Sequence, residues 1–329
     1  MLASEHADGI SVNDNYINGL CDKLCQCINA AVSNSFEVVL GADVGSCGAE
    51  QGVGGNRRKK GGICDPSVNV LAVKDLTGTL RACLVNYALH PTFLHAENTL
   101  VSADYPAYIR RYFSFAYPES VTLFAQGASG DQSSRYHRIG QDFEEATRVG
   151  TTIAVEARRC IENMIFSNNV PISVKSEEID LPLRQFPPIN EAERALEKAH
   201  ANFEAAKNAG YIAMRNAELA LFGAENILIF ARMQSKGFRS NELPCEIQTV
   251  TLGGILIVGI PGELFVSYAL EIKSASKASR TFVFEVTNGA LPGYVYTPEA
   301  DREGGYEVGT SMLSPLAGEH IIKKIKEML

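Results

Sequence analysis

The stretch Leu80-Arg81-Ala82-Cys83-Leu84-Val85-Asn86-Tyr87-Ala88-Leu89-His90-Pro91-Thr92 decides the reading of this chain. Its apolar run has the composition of a buried strand in a sheet covered on both faces. Pro91 has no N–H to give to a ladder, so the strand ends there. His90 is thereby held at a strand end, where open α/β sheets carry their chemistry. A histidine in that place is a metal ligand, a general base or a satisfied structural group, and position alone does not choose between them.

Three further strands end in the same manner. Ser120–Ala125 runs into Gly127-Ala128-Ser129-Gly130-Asp131-Gln132-Ser133-Ser134, Ile255–Ile260 into Pro261-Gly262-Glu263, and Thr281–Val286 into Asn288-Gly289 and then Gly293-Tyr294. Each run is apolar and β-branched, and each is closed by Gly or Pro with a polar group beside it. Four such junctions, bearing His, Ser/Asp, Glu and Tyr, point to one site at one edge of a sheet. Glu263 also precedes a helix expected from about Leu264, so it is read either as a carboxylate complementing a helix N-terminus or as a divalent-metal ligand. Ser133 does not lie in a G-x-S-x-G elbow, and the nearness of His137 in sequence is not triad geometry. Gly52-Val53-Gly54-Gly55-Asn56-Arg57 lacks the strand, Lys-Ser/Thr and helix context of a phosphate-binding loop.

The 329 residues carry a net charge of -8 with 46% apolar and 21% charged side chains, an ordinary globular composition. Such a charge disfavours nucleic acid as a partner. No run approaches the length of a membrane span, and no basic-then-apolar leader is visible at Met1–His6. The expectation is a cytoplasmic chain with reduced thiols. Among eight cysteines, Cys21 and Cys25 share a helix face, too few ligands for a metal cluster.

Asn13 and Asp14 are candidate caps for a helix with Ile17, Leu20, Leu24, Ile28 and Ala31 on one face. A strand near 36–41, a long Gly-rich loop over 41–66, and a hairpin pairing 68–73 with 80–89 follow. Residues 103–115, 141–165, 264–277 and about 314–329 read as helices, and 189–236 as a helical hairpin with Gly210 between its arms. The expected architecture is α/β: one domain over 1–329, with a mixed β-sheet core flanked by helices and an appended helical hairpin.

The ordered set "GGNRR" at 54–58, "NYALHPT" at 86–92, "VSAD" at 101–104, "GASGDQSS" at 127–134, "LIVGIPGE" at 256–263 and "TNGALPGYVYTPEADREGGYE" at 287–307 resembles the catalytic domain of the neutral/alkaline, non-lysosomal ceramidases from about residue 3 onward. That family begins some tens of residues earlier, and its long members end in an immunoglobulin-like domain. The resemblance implies a zinc-dependent amidohydrolase that cleaves an N-acyl amide bond, with a small N-acyl compound, ceramide or a related lipid, as substrate. It implies Zn2+ ligands His6, His90, Glu263 and Tyr294, an oxyanion-stabilising Arg57, and Ser133 at the substrate end of the pocket. Asp8 stands where the family has the second histidine of its Thr-His-Thr-His stretch, with a role in orienting a ligand or relaying a proton. The segment before Tyr294 is one residue longer than the family's and lacks its first tyrosine. The alternatives are a zinc amidase for a smaller non-lipid N-acyl substrate and a non-catalytic relative.

Overall fold

The computed structural model describes residues 13–94, 98–236 and 242–329. The first half of the chain runs α1 (Asp14–Ser33), β1 (Val38–Ser46), β2 (Gly55–Asn56), β3 (Ser67–Asp75), β4 (Leu80–Tyr87), α2 (Tyr105–Ala116), β5 (Val121–Gln126), β6 (Gln132–Ser133) and α3 (Phe143–Asn163). The second half runs β7 (Ile172–Pro182), α4 (Ile189–Ala206), α5 (Tyr211–Ser235), β8 (Glu242–Leu252), β9 (Ile255–Gly259), β10 (Glu263–Leu264), α6 (Val266–Ala275), β11 (Arg280–Phe284), β12 (Tyr294–Val295), α7 (Pro298–Glu303), α8 (Tyr306–Gly309) and α9 (Ala317–Met328).

The strands form two four-stranded mixed sheets, ordered β1-β3-β4-β5 and β11-β9-β8-β7, and two short ribbons, β2-β6 and β10-β12. The expected mixed α/β architecture is therefore present, with its core divided between two sheets. In the first, β3 and β4 are the expected antiparallel hairpin, and β4 lies parallel to β5. A parallel neighbour needs a crossover, and α2 supplies it. In the second, β9 and β11 are parallel and α6 makes the equivalent connection.

Period-two alternation sends Val68, Val70, Ala72, Cys83, Val85 and Tyr87 to one face of the first sheet. There they pack on Ile109 and Phe113 of α2 and on Val149, Ile153 and Ala157 of α3. In the second sheet, Cys245, Ile247, Leu256, Val258 and Val283 pack on Ala269 and Ile272 of α6 and on Ile321, Ile322 and Ile325 of α9. The sheets meet where β11 lies against β1 and β4: the Asn86 side-chain amide donates to Val283 O at 3.1 Å.

Two sequence expectations need correction. The segment 41–66 is not loop throughout, because β1 continues to Ser46 and Gly55–Asn56 pairs with β6. The strand ending at Gln126 is not covered on both faces: Val121 is 62% and Leu123 54% exposed, as suits an edge strand. Asn13 caps α1 as expected, its side chain accepting from Tyr16 N, and the apolar stripe Ile17, Leu20, Leu24 and Ile28 is exposed.

The helical hairpin is α4 and α5 with Gly210 between them at φ +94, a value that favours glycine. Among the described residues no helix is long and apolar enough to cross a membrane. The eight cysteines are free thiols.

Candidate active site

The β4 exit places His90. Leu89 O accepts from the Tyr105 hydroxyl at 2.8 Å and from the Gln126 amide at 2.9 Å, and His90 N donates to Gln132 O. These bonds fix the backbone on either side of the imidazole. The ring then makes two contacts: Nδ1 lies 2.6 Å from Ser129 O and Nε2 lies 3.0 Å from Glu263 Oε2. A carbonyl can only accept, so Nδ1 carries a proton and Nε2 is the nitrogen turned toward the carboxylate.

Glu263 reaches that point because its strand stops at Pro261-Gly262. The two-residue ribbon β10-β12 is parallel, and its register sets Glu263 opposite Tyr294. The phenol lies close enough to influence the Glu263 carboxylate, and its ring stacks on His90 with centroids 6.3 Å apart and planes 27° apart. Arg57 closes the group, its guanidinium carbon 5.3 Å from the Tyr294 ring centroid. Three of the four junction residues, His90, Glu263 and Tyr294, thus converge, with Arg57 arriving from the Gly-rich segment.

Two partners hold Arg57. Its Nη2 donates to Gly130 O at 2.7 Å, and its Nε lies 2.8 Å from Glu307 Oε1. The Nε contact is a charge contact without hydrogen-bond alignment, since Nε has no aligned acceptor. Glu307 Oε2 simultaneously pairs with Arg58 Nη1 at 2.7 Å. Gly130 is glycine for a steric reason: a Cβ there would lie 2.8 Å from Glu263 O.

Burial pushes the Glu263 carboxyl upward, but His90, Tyr294 and Arg57 outweigh it and hold its pKa below the ordinary 4.5. Burial pushes the Tyr294 phenol well above its usual range despite Arg57, so the hydroxyl is neutral and can donate. For Arg57 burial opposes charge, but Glu307 and Tyr294 more than compensate and the guanidinium stays charged.

Ser133 stands at the margin of this group. It lies in β6 opposite Gly55, and its hydroxyl accepts from Arg135 N at 3.2 Å. Among the described residues no histidine or carboxylate hydrogen-bonds that hydroxyl, so the arrangement is not that of an activated serine. His6 and Asp8 lie outside the described residues. Among the described residues no set of three His, Cys, Asp or Glu groups clusters as metal ligands; the two that meet are His90 and Glu263, with a tyrosine beside them.

Sequence reasoning missed Glu285, Glu307 and Tyr306. Glu285 had a legible signal, as the single charge inside the apolar run Thr281–Val286. The Glu307 signal was weaker: it ends a motif but is 249 residues from Arg58. Tyr306 connects the helical hairpin to the site, stacking on Phe222 of α5 (centroids 5.9 Å apart) and meeting Tyr294 edge-on at 6.0 Å.

No family model matches the sequence, and no curated protein matches it. Solved structures do. The chain superposes on neutral ceramidase from Pseudomonas aeruginosa with a TM-score of 0.66 and 18% identity, over 94% of this chain and 55% of that one. A ceramidase complexed with C2 gives a TM-score of 0.61 and 14% identity, over 88% of this chain and 53% of that one. The chain spans about half the length of these proteins, and at this identity what is shared is the ceramidase-like fold.

Proposed function

We propose that this chain hydrolyses an N-acyl amide bond at the His90, Glu263, Tyr294 and Arg57 cluster with the help of a bound zinc ion. The observation that carries the reading is the 3.0 Å approach of His90 Nε2 to Glu263 Oε2, with Tyr294 opposite Glu263 in the ribbon and stacked on His90.

The donor set suits zinc. With Nδ1 committed to Ser129 O, Nε2 becomes a metal ligand when an ion takes the place of the proton it shares with Glu263, and an imidazole nitrogen, a carboxylate oxygen and a phenolic oxygen are acceptable ligands. The 3.0 Å separation of His90 Nε2 and Glu263 Oε2 would let both groups hold one ion. His90, Glu263 and Tyr294 would hold the ion, with His6 as the expected further ligand. When bound, zinc lowers the pKa of a water to about 7 and polarises an acyl carbonyl.

The chain's own groups supply the rest. Arg57, fixed by Gly130 O and Glu307, offers a permanent positive charge for the oxyanion that develops as water adds to the carbonyl. Tyr294 donates from a neutral hydroxyl to the same oxygen or to the departing amine. Glu263 keeps its carboxylate ionised well into acid. Ser133 lines the entry of the substrate and Asp8 orients a ligand or relays a proton; neither attacks the carbonyl. The products are a carboxylate and an amine, and the finer assignment within this class is ceramide or a related N-acyl lipid.

Elemental analysis, combined with amide hydrolysis before and after chelation, tests the proposal on both a long-chain N-acyl lipid and a short N-acyl amine. Expected are bound zinc, loss of turnover on chelation and recovery on adding zinc back. A protein that neither binds zinc nor hydrolyses either substrate after zinc addition overturns it. His90→Ala should abolish zinc retention, whereas Ser133→Ala should leave zinc content intact; a covalent acyl adduct trapped on Ser133 would refute the metal-water route.

A further inference from the structure

Behind the cluster lies a carboxyl that the proposed chemistry does not use. Glu285, at the end of β11, is 4% exposed and takes three donors. Its Oε2 accepts from Ser129 N at 3.0 Å and from Leu264 N at 2.9 Å, and its Oε1 meets the Ser129 hydroxyl at 2.5 Å. Each donor belongs to a segment that carries the site. Ser129 is the residue whose carbonyl receives His90 Nδ1, and Leu264 directly follows Glu263. Gly130, between them, donates to Leu264 O at 3.0 Å and receives Arg57.

A second observation points to the same place. Val286, immediately after Glu285, has φ +54, a conformation that a β-branched residue strongly resists. Such a backbone persists only where its surroundings over-determine it, and such places cluster at functional sites. Here Glu285 N donates to Gln126 O at 3.0 Å, so the ends of β11 and β5 are bonded together just before the disfavoured turn.

We infer that Glu285 is a positioning residue: one buried carboxyl ties Ser129 and Leu264 together and thereby fixes His90 and Glu263 relative to each other. The His90 ring is oriented by the contact of Nδ1 with the Ser129 carbonyl. That carbonyl is aimed by Gln132 N, which donates to it at 2.8 Å, and by the two bonds its own residue gives to Glu285. Remove the tie and the Ser129 carbonyl is held by Gln132 N alone, so that the Nδ1 bond weakens and Nε2 is less firmly turned toward Glu263. The geometry requires an acceptor for two N–H groups and a polar partner for one hydroxyl. Glutamine at this position meets both demands through its oxygen and its amide group; aspartate, one methylene shorter, cannot span both segments.

This inference deepens the proposed hydrolytic reading, yet its main test needs no substrate. In protein labelled with nitrogen-15 histidine, the His90 Nδ1–H is followed by proton exchange, and its resonance is assigned by its loss in His90→Gln. In Glu285→Gln the resonance should persist with exchange within about threefold of the parent. In Glu285→Asp, folded by circular dichroism, loss of one hydrogen-bond tie should speed exchange at least about tenfold. Unchanged exchange in Glu285→Asp, or its acceleration in Glu285→Gln as well, overturns the inference. Should Glu285→Asp not fold, Ser129→Ala removes one of the three donors and should speed exchange at least about threefold; no change there overturns it equally. In the turnover assay Glu285→Asp should lower kcat by at least about tenfold with KM nearly constant, and Glu285→Gln should restore kcat. Absence of hydrolysis by the parent protein would strike the functional reading and leave the exchange result standing.

Discussion

Glu307 is the point at which a conservative change should cost most. Its side chain is 7% exposed and lies between two arginines that are 14% and 15% exposed. Glu307→Gln preserves shape and removes the charge that compensates Arg57 Nε at 2.8 Å and Arg58 Nη1 at 2.7 Å. Breaking a buried pair by neutralising one partner costs about 3–5 kcal/mol, because the remaining charge stays desolvated. Two features place this case at the lower end. Arg58 retains Glu303 and Gly304 O, and the Arg57 Nε contact is not aligned as a hydrogen bond. A loss of about 3 kcal/mol is expected, or a fall in Tm of about 6 °C at the sensitivity of large domains. Urea denaturation with an unchanged m-value measures it. The double variant Arg57→Met with Glu307→Gln should lose less than the sum of the single losses, since no stranded guanidinium remains on that side. A loss below about 1 kcal/mol in Glu307→Gln would show that water screens the cluster, and the rigid placement of Arg57 would fall with it.

Gly130→Ala should destabilise the fold by about 1–3 kcal/mol and suppress hydrolysis, because its Cβ meets the backbone of Glu263 and Leu264 at 2.8–2.9 Å, where nothing can yield without moving Glu263. A variant with parental turnover would contradict this. The pH dependence of stability provides another test. Burial pushes Glu285 up to about 8 against the pull of its Ser129 and Leu264 donors. The folded state therefore keeps a proton that the unfolded chain loses near pH 4.5, so this contribution is complete below that pH and declines until pH passes about 8. The slope approaches about 1.4 kcal/mol per pH unit inside that window. Glu285→Gln should flatten it in urea titrations at successive pH values, and parallel curves for the two proteins would refute the assignment.

Much of this arrangement was legible in the sequence. Pro91 and Pro261-Gly262 mark where strands must stop, and local steric rules suffice to infer that polar groups sit at those stops. The hairpin of β3 and β4 and the helical hairpin of α4 and α5 follow from turn residues and periodicity in the same way. The split into two sheets was not legible, since a buried strand has the same composition whichever partner it takes. The exposed stripe of α1 was also beyond reach: amphipathicity shows that a face is apolar, not that a neighbour covers it. Glu307 and Glu285 escaped because their significance lies in pairings across 250 and 156 residues of chain, 307 with 57 and 285 with 129. His90 stood as ligand, base or structural residue on position alone; contact with Glu263 on one nitrogen and Ser129 O on the other makes it the hinge of the proposed site.

The ribbon of β10 and β12 has a consequence for how the protein tolerates insertions and deletions. Glu263 and Tyr294 are opposite each other because two residues of parallel ladder fix them, not because of the chain length between them. The approach to Tyr294, with Gly289 at φ +133 and Gly293 at φ +111, takes up slack that stiffer residues could not. Within the arc, Thr287 N donates to Ile260 O and Leu291 N to Pro261 O, so only residues 288–290 between those bonds can change in number while the endpoint stays clamped. Length changes confined to 288–290 should therefore leave the Glu263–Tyr294 pair in register, whereas changes at 287 or 291 should disturb it.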